Sequence, residues 1–134
     1  MRHLLVLTLF LGITAGVVHA AQPAPPATPA QRFVVFFQEW SAGLDDAARS
    51  VIGHAADSAR EHAGSFVRVN GFADPTGSRK ANLLLADLRM QVVIDALQAD
   101  GVPPSRIIGR GHGPVKFGLS SQESRRVEIG VGRR

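Results

Sequence analysis

The 134-residue chain contains no cysteine. That absence removes a disulfide framework and a thiolate metal site together. No Gly-x-Ser-x-Gly, no Ser–His–Asp order and no pair of carboxylates set for acid–base work stands out, so enzyme activity is not expected. Aromatic residues are sparse at 6%, and Trp40 is the single tryptophan. Neither sign of charge dominates: 15 Lys and Arg against 11 Asp and Glu leave a formal charge of +4. Such an excess could serve an anionic partner, but it is modest and a solvated surface accounts for it better. There is no internal repeat. Long apolar runs are confined to one place, residues 4–18.

That run follows Arg2 and ends in Val18-His19-Ala20, the layout of a secretory signal peptide. It is too short to span a bilayer comfortably. An uncleaved anchor is the second reading, and with no cysteine after the run a lipoprotein anchor is not expected. The expected organisation is a signal peptide over residues 1–20, a Pro/Ala-rich spacer over 21–31, a folded domain over 32–131 and a tail over 132–134. The spacer, AQPAPPATPAQ, favours an extended, semi-rigid tether over any packed core.

Within the domain, RFVVFF at residues 32–37 reads as a buried strand. Residues 44–63 read as a helix with a stripe of Leu44, Ala48, Val51, Ala55 and Ala59. FVRVNGF at 66–72 alternates like a second strand. Asp74-Pro75-Thr76-Gly77 signals a turn, and a long helix is expected over 78–98, stopped by Gly101-Val102-Pro103-Pro104. RIIGR at 106–110 reads as a third strand, GHGPVKFGLSSQ as a loop, and RRVEIGV at 125–131 as a fourth strand. Strands alternating with helices predict an α+β fold, a small mixed sheet with both helices on one face.

The stretch GFADPTGSRKANLLLADLR places an acid at its turn and a base late in its helix. Asn82 and Arg89, seven apart, share one helix face, and long helical side chains lean toward the N-terminus. Arg89 should therefore reach back toward Asp74, near the free N–H groups of the helix start. One carboxylate, one guanidinium and one amide would suit a small zwitterion. The plainer readings are an N-capping Asp74 before a first-turn proline, and an Arg89 that is solvated or salt-bridged to Asp74. Spacing alone leaves these open.

Several blocks agree at once with a known family. GFADPTGSRKANLLLADLRMQVVIDAL, then GVPPSRIIGRGHG, then SRRVEIGV resemble the OmpA-like C-terminal domain, the peptidoglycan-associated module of outer-membrane porins, peptidoglycan-associated lipoproteins and flagellar stator proteins. The resemblance implies a βαβαββ sandwich, with a mixed four-stranded sheet under two helices. It also implies noncovalent binding of the diaminopimelate of peptidoglycan stem peptides, in the periplasm, against the cell wall or outer membrane. Asp74 and Arg89 match the residues that hold the ligand's ammonium and carboxylate. Asn82 matches a supporting asparagine, and Arg125 and Arg126 an arginine pair, of which strand alternation lets one line the pocket. Three positions depart from the family pattern: Gln38 or Glu39 where an aspartate is usual, Ala73 before the pocket acid where threonine is usual, and Ser124 where asparagine is usual. They motivate a second expectation, a scaffold with a degenerate pocket that binds an envelope protein. Arginine-mediated binding of lipid or nucleic acid is a third, and the export signal argues against nucleic acid as partner. The long β-hairpin region of a porin barrel is not seen.

The remaining conspicuous residues have plainer readings. His112 in GRGHG lacks both metal-ligand spacing and the helix a dinucleotide site needs, so it is expected as a loop histidine with no metal or cofactor. His54 and His62, eight apart, are expected on the surface. Asp45-Asp46 suits a helix start. Trp40 is expected at the rim of the pocket, with half its ring packed.

Overall fold

The computed structural model describes residues 30–114 and 121–133. The expected signal peptide and nearly all of the spacer lie outside the described residues. So does most of the loop expected after Pro114.

The elements run β1 (Gln31–Phe36), α1 (Asp46–Glu61), β2 (Phe66–Ala73), α2 (Arg79–Ala99), a single 3-10 turn (Pro104–Arg106), β3 (Ile107–Pro114), the one-turn α3 (Ser121–Ser124) and β4 (Arg126–Gly132). They form a four-stranded sheet in the order β1-β4-β2-β3. β4 is antiparallel to both neighbours, while β2 and β3 are parallel and joined by α2. The last strand therefore inserts between the first two.

Alternation sets the core. Val67, Val69, Val127, Ile129 and Val131 face the helices, and the intervening residues face away. Val35 pairs with Val127, which in turn pairs with Gly71, giving one inner row across three strands. From α1, Ala48, Ile52, Ala55, Ala56 and Ala59 descend onto this layer. The expected stripe is correct in Ala48, Ala55 and Ala59. The structure adds the fully buried Ile52 and leaves Leu44 and Val51 packed only partly against the core. Asp45 caps α1, its Oδ1 accepting from Ala48 N at 2.7 Å. His62, expected on the surface, is instead half-buried at the other end, where its Nδ1 lies 2.9 Å from Ser58 O.

α2 is long, capped by Ser78 and pressed close to the sheet. At Gly71 the two backbones nearly touch: a Cβ there would stand 2.3 Å from Ala86 O. The loop expected from Gly111 onward is a correction. β3 continues to Pro114 by pairing with β2 past a register shift at Gly71/Phe72. His112 is thus a strand residue, stacked on Phe72 at 4.8 Å and 3.0 Å from Asn70 Oδ1. No described helix is long and apolar enough to cross a membrane.

Candidate functional site

Four strand or helix ends meet at one end of the sheet. β1 leaves through Phe37 into the turn Gln38–Ser41, β2 ends at Asp74, β4 begins after Arg125, and α2 passes above. A narrow cleft among them is lined by Glu39, Trp40, Asp74, Thr76, Asn82, Leu85, Arg89 and Arg125.

Asp74 does not cap α2; Ser78 does. Instead its Oδ1 accepts from Thr76 N at 2.9 Å and Thr76 Oγ1 at 2.7 Å, which folds the turn under the carboxylate. Its Oδ2 lies 3.5 Å from Arg125 Nη1. Asn82 is buried and donates from Nδ2 to Thr76 O at 2.6 Å, so it secures the same turn.

Arg89 is fully buried. Its Nε donates to Ser41 O at 2.8 Å and its Nη2 to Gln38 O at 2.9 Å, tying the β1–α1 turn to α2. The guanidinium lies 5.3 Å from the Phe37 ring centroid. Nη1 is buried and has no hydrogen-bond acceptor among the described residues. Burial first, then the nearby Arg125, lower the Arg89 pKa to about 10, with Asp74 pulling it back up. Arg89 is still a cation at neutral pH.

Of the expected arginine pair, Arg125 is on the cleft. Arg126 points to the opposite sheet face, 4.2 Å over the Phe72 ring and 2.7 Å from Glu128 Oε1. Ala73 is fully buried and absent from the cleft lining. Four lining residues, Glu39, Trp40, Thr76 and Leu85, were not among the expected ligand contacts, although Trp40 was expected at the rim. Glu39 supplies an acid on the turn after β1, and Trp40 covers the mouth. Their neighbours signalled a turn, but only the contacts with Arg89 aim that turn at Asp74. Ser124 is buried against the same end, its Oγ without a partner among the described residues.

A larger cavity of about 150 Å³ lies at the opposite end, among Gln31, His62, Ala63, Gly64, Ser65, Val131, Gly132 and Arg133. It gathers no opposed charges. The smaller cleft holds two carboxylates and two guanidiniums, and chemistry rather than size identifies the site.

Two acids and two bases gather around a strand-end cleft, an arrangement suited to a charged ligand. The residues 36–128 match the OmpA family model, and the chain belongs to the OmpA family. It is 32% identical to an outer membrane protein of Gluconacetobacter diazotrophicus, over 76% of this chain and 30% of that protein. It is 34% identical to the probable lipoprotein YiaD of Escherichia coli, over 71% of this chain and 46% of that protein. The chain thus spans less than half the length of these curated relatives. The fold is that of the peptidoglycan-associated lipoprotein from Burkholderia pseudomallei, with a TM-score of 0.68 at 22% identity, covering 74% of this chain and 89% of that one. The C-terminal domain of Helicobacter pylori MotB (residues 125–256) shares it, with a TM-score of 0.66 at 22% identity, covering 78% of this chain and 85% of that one.

Proposed function

We propose that this chain binds peptidoglycan noncovalently in the cell envelope, gripping the diaminopimelate of a stem peptide in the cleft between Asp74 and Arg89. The observation that carries this is Arg89 Nη1, a buried charged donor with no acceptor among the described residues, on a side chain that lines the same cleft as Asp74. A buried unsatisfied donor is costly and calls for a partner. A ligand carboxylate supplies it.

The charge count favours a zwitterion over a simple anion. Glu39 and Asp74 balance Arg89 and Arg125 around the cleft. The ligand's carboxylate lies against Arg89 Nη1 and the guanidinium of Arg125. Its ammonium lies against Asp74 Oδ2, with Glu39 adding negative potential. Asn82 and Thr76 hold the carboxylate of Asp74 in place and need not touch the ligand. The names of the relatives, an outer membrane protein and a probable lipoprotein, support a role in the envelope. A periplasmic location with the cell wall as partner follows, and no chemistry on the ligand is required.

The test is sedimentation of the periplasmically produced chain with purified insoluble peptidoglycan, beside Asp74→Ala and Arg89→Lys. The lysine keeps a cation but loses the fork, and circular dichroism checks each fold. Both folded variants should bind at least about tenfold more weakly, since breaking a buried hydrogen-bonded charge contact costs about 2–5 kcal/mol. Equal binding by all three would overturn the site. No binding by the native chain would favour the scaffold that captures a protein partner.

A further inference from the structure

Trp40 occupies a conformation that tryptophan rarely adopts. It is the only described non-glycine residue with positive φ, at 52°. It stands third in the turn Gln38–Ser41, closed by Ser41 N donating to Gln38 O at 3.3 Å. A positive φ at that position normally calls for glycine or asparagine. Strain of this kind persists where the surroundings impose it, and it marks functional segments.

Here the surroundings are identifiable. Both carbonyls that bracket the turn, Gln38 O and Ser41 O, are held by Arg89. The residue that offers its third nitrogen to the cleft is also the residue that clamps Trp40 over it. The indole is not a core side chain, because it remains 58% exposed. It lies across the cleft onto the second turn: a Cβ on Gly77 would stand 3.2 Å from Trp40 Cη2. With the indole there, the cleft is about 10 Å³, room for one water and too small for an amino-acid head group.

We propose that Trp40 is the movable lip of this cleft. It swings aside to admit the ligand and then packs on the ligand's methylene chain, which makes it a positioning residue that selects a long-chain diamino acid over a short one. This rests on the binding reading above and deepens it. The strained turn keeps the indole presented outward, and the two Arg89 hydrogen bonds keep the turn's base fixed while its tip moves. An exposed aromatic with few rotatable bonds suits such a contact.

The experiment uses soluble peptidoglycan fragments carrying the diaminopimelate stem, with the native chain, Trp40→Gly, Trp40→Phe and Asp74→Ala. Because Trp40 is the single tryptophan, its own emission reports the lip. Emission of the native chain should shift on saturation. Trp40→Gly should bind about fivefold more weakly, and Trp40→Phe within about twofold of native. Trp40→Gly should also unfold at the same or a higher temperature than native, since glycine relieves the strained φ. A lower unfolding temperature for Trp40→Gly would make Trp40 a structural plug and overturn the proposal. So would unshifted native emission at saturation. Native-like binding by Trp40→Gly, with binding lost in Asp74→Ala, would overturn the lip alone and leave the site standing. If the native chain binds no fragment, both fall.

Discussion

At the residue scale, Arg89 is a cation held where cations are disfavoured. Its pKa falls to about 10 on folding, so between that value and its ordinary one the unfolded chain carries more protons, and stability rises with pH through that window. Below it, desolvation of the cation is a constant cost to the fold. A carboxylate on Nη1 offsets that cost, so bound ligand should raise the thermal unfolding midpoint, and Arg89→Lys should lose most of the rise. Glu128 shows the opposite sign. Burial pushes its carboxyl up, but hydrogen bonds from Arg32 and Arg126 outweigh this and hold it below the ordinary 4.5. Its contribution is present above pH 4.5 and is lost as pH falls through the lowered value. Glu128→Gln should therefore flatten the acid limb of stability, measured as urea midpoints between about pH 6 and pH 3.

At the element scale, α2 inverts the usual pattern. Asn82 and Arg89 are buried, while Leu84 is 62% and Leu88 is 53% exposed. Hydropathy read along this helix cannot reveal its inner face, although its extent was plain from the turn ahead of it and the stop at Gly101, while its cap, Ser78, was not singled out. The 82–89 spacing put the two on one helix face and the family-like blocks marked both as site residues, but their burial was not foreseen. What stayed illegible was the role of residues 38–41, because the direction of that turn depends on hydrogen bonds from a helix some fifty positions away. The strand character of residues 111–114 was hidden for another reason. Glycine and histidine look like loop residues, but β2 offers a ladder that they accept without regard to side chain. The closeness of α2 to β2 gives a sharp prediction. Gly71→Ala forces a methyl to within 2.3 Å of Ala86 O, a backbone atom that cannot rotate away. It should cost about 1–3 kcal/mol in urea unfolding and, by lifting α2, weaken ligand binding as well.

At the scale of the whole molecule, β4 and β2 are central and β1 and β3 are edges. The mixed sheet and the helices on one face were legible from the alternation of strands and helices. The insertion of β4 between β1 and β2 was not, because long-range pairing leaves little local signal. Amide hydrogen exchange should be slowest in Phe66–Ala73 and Arg126–Gly132 and faster in Gln31–Phe36, following the number of paired neighbours.

The same strand order governs how the protein carries mechanical load. The chain enters β1 at Gln31, beside Val131, while the cleft lies beyond Phe36 at the other end of the sheet. Tension applied between residue 31 and a ligand held in the cleft would run parallel to the strands. It reaches the β1–β4 ladder, from Gln31↔Val131 to Phe36↔Arg126, as shear, so every rung resists together. Pulling residues 31 and 132 apart at their shared end would instead peel the rungs in succession. In single-molecule stretching the first geometry should yield at a clearly higher force than the second.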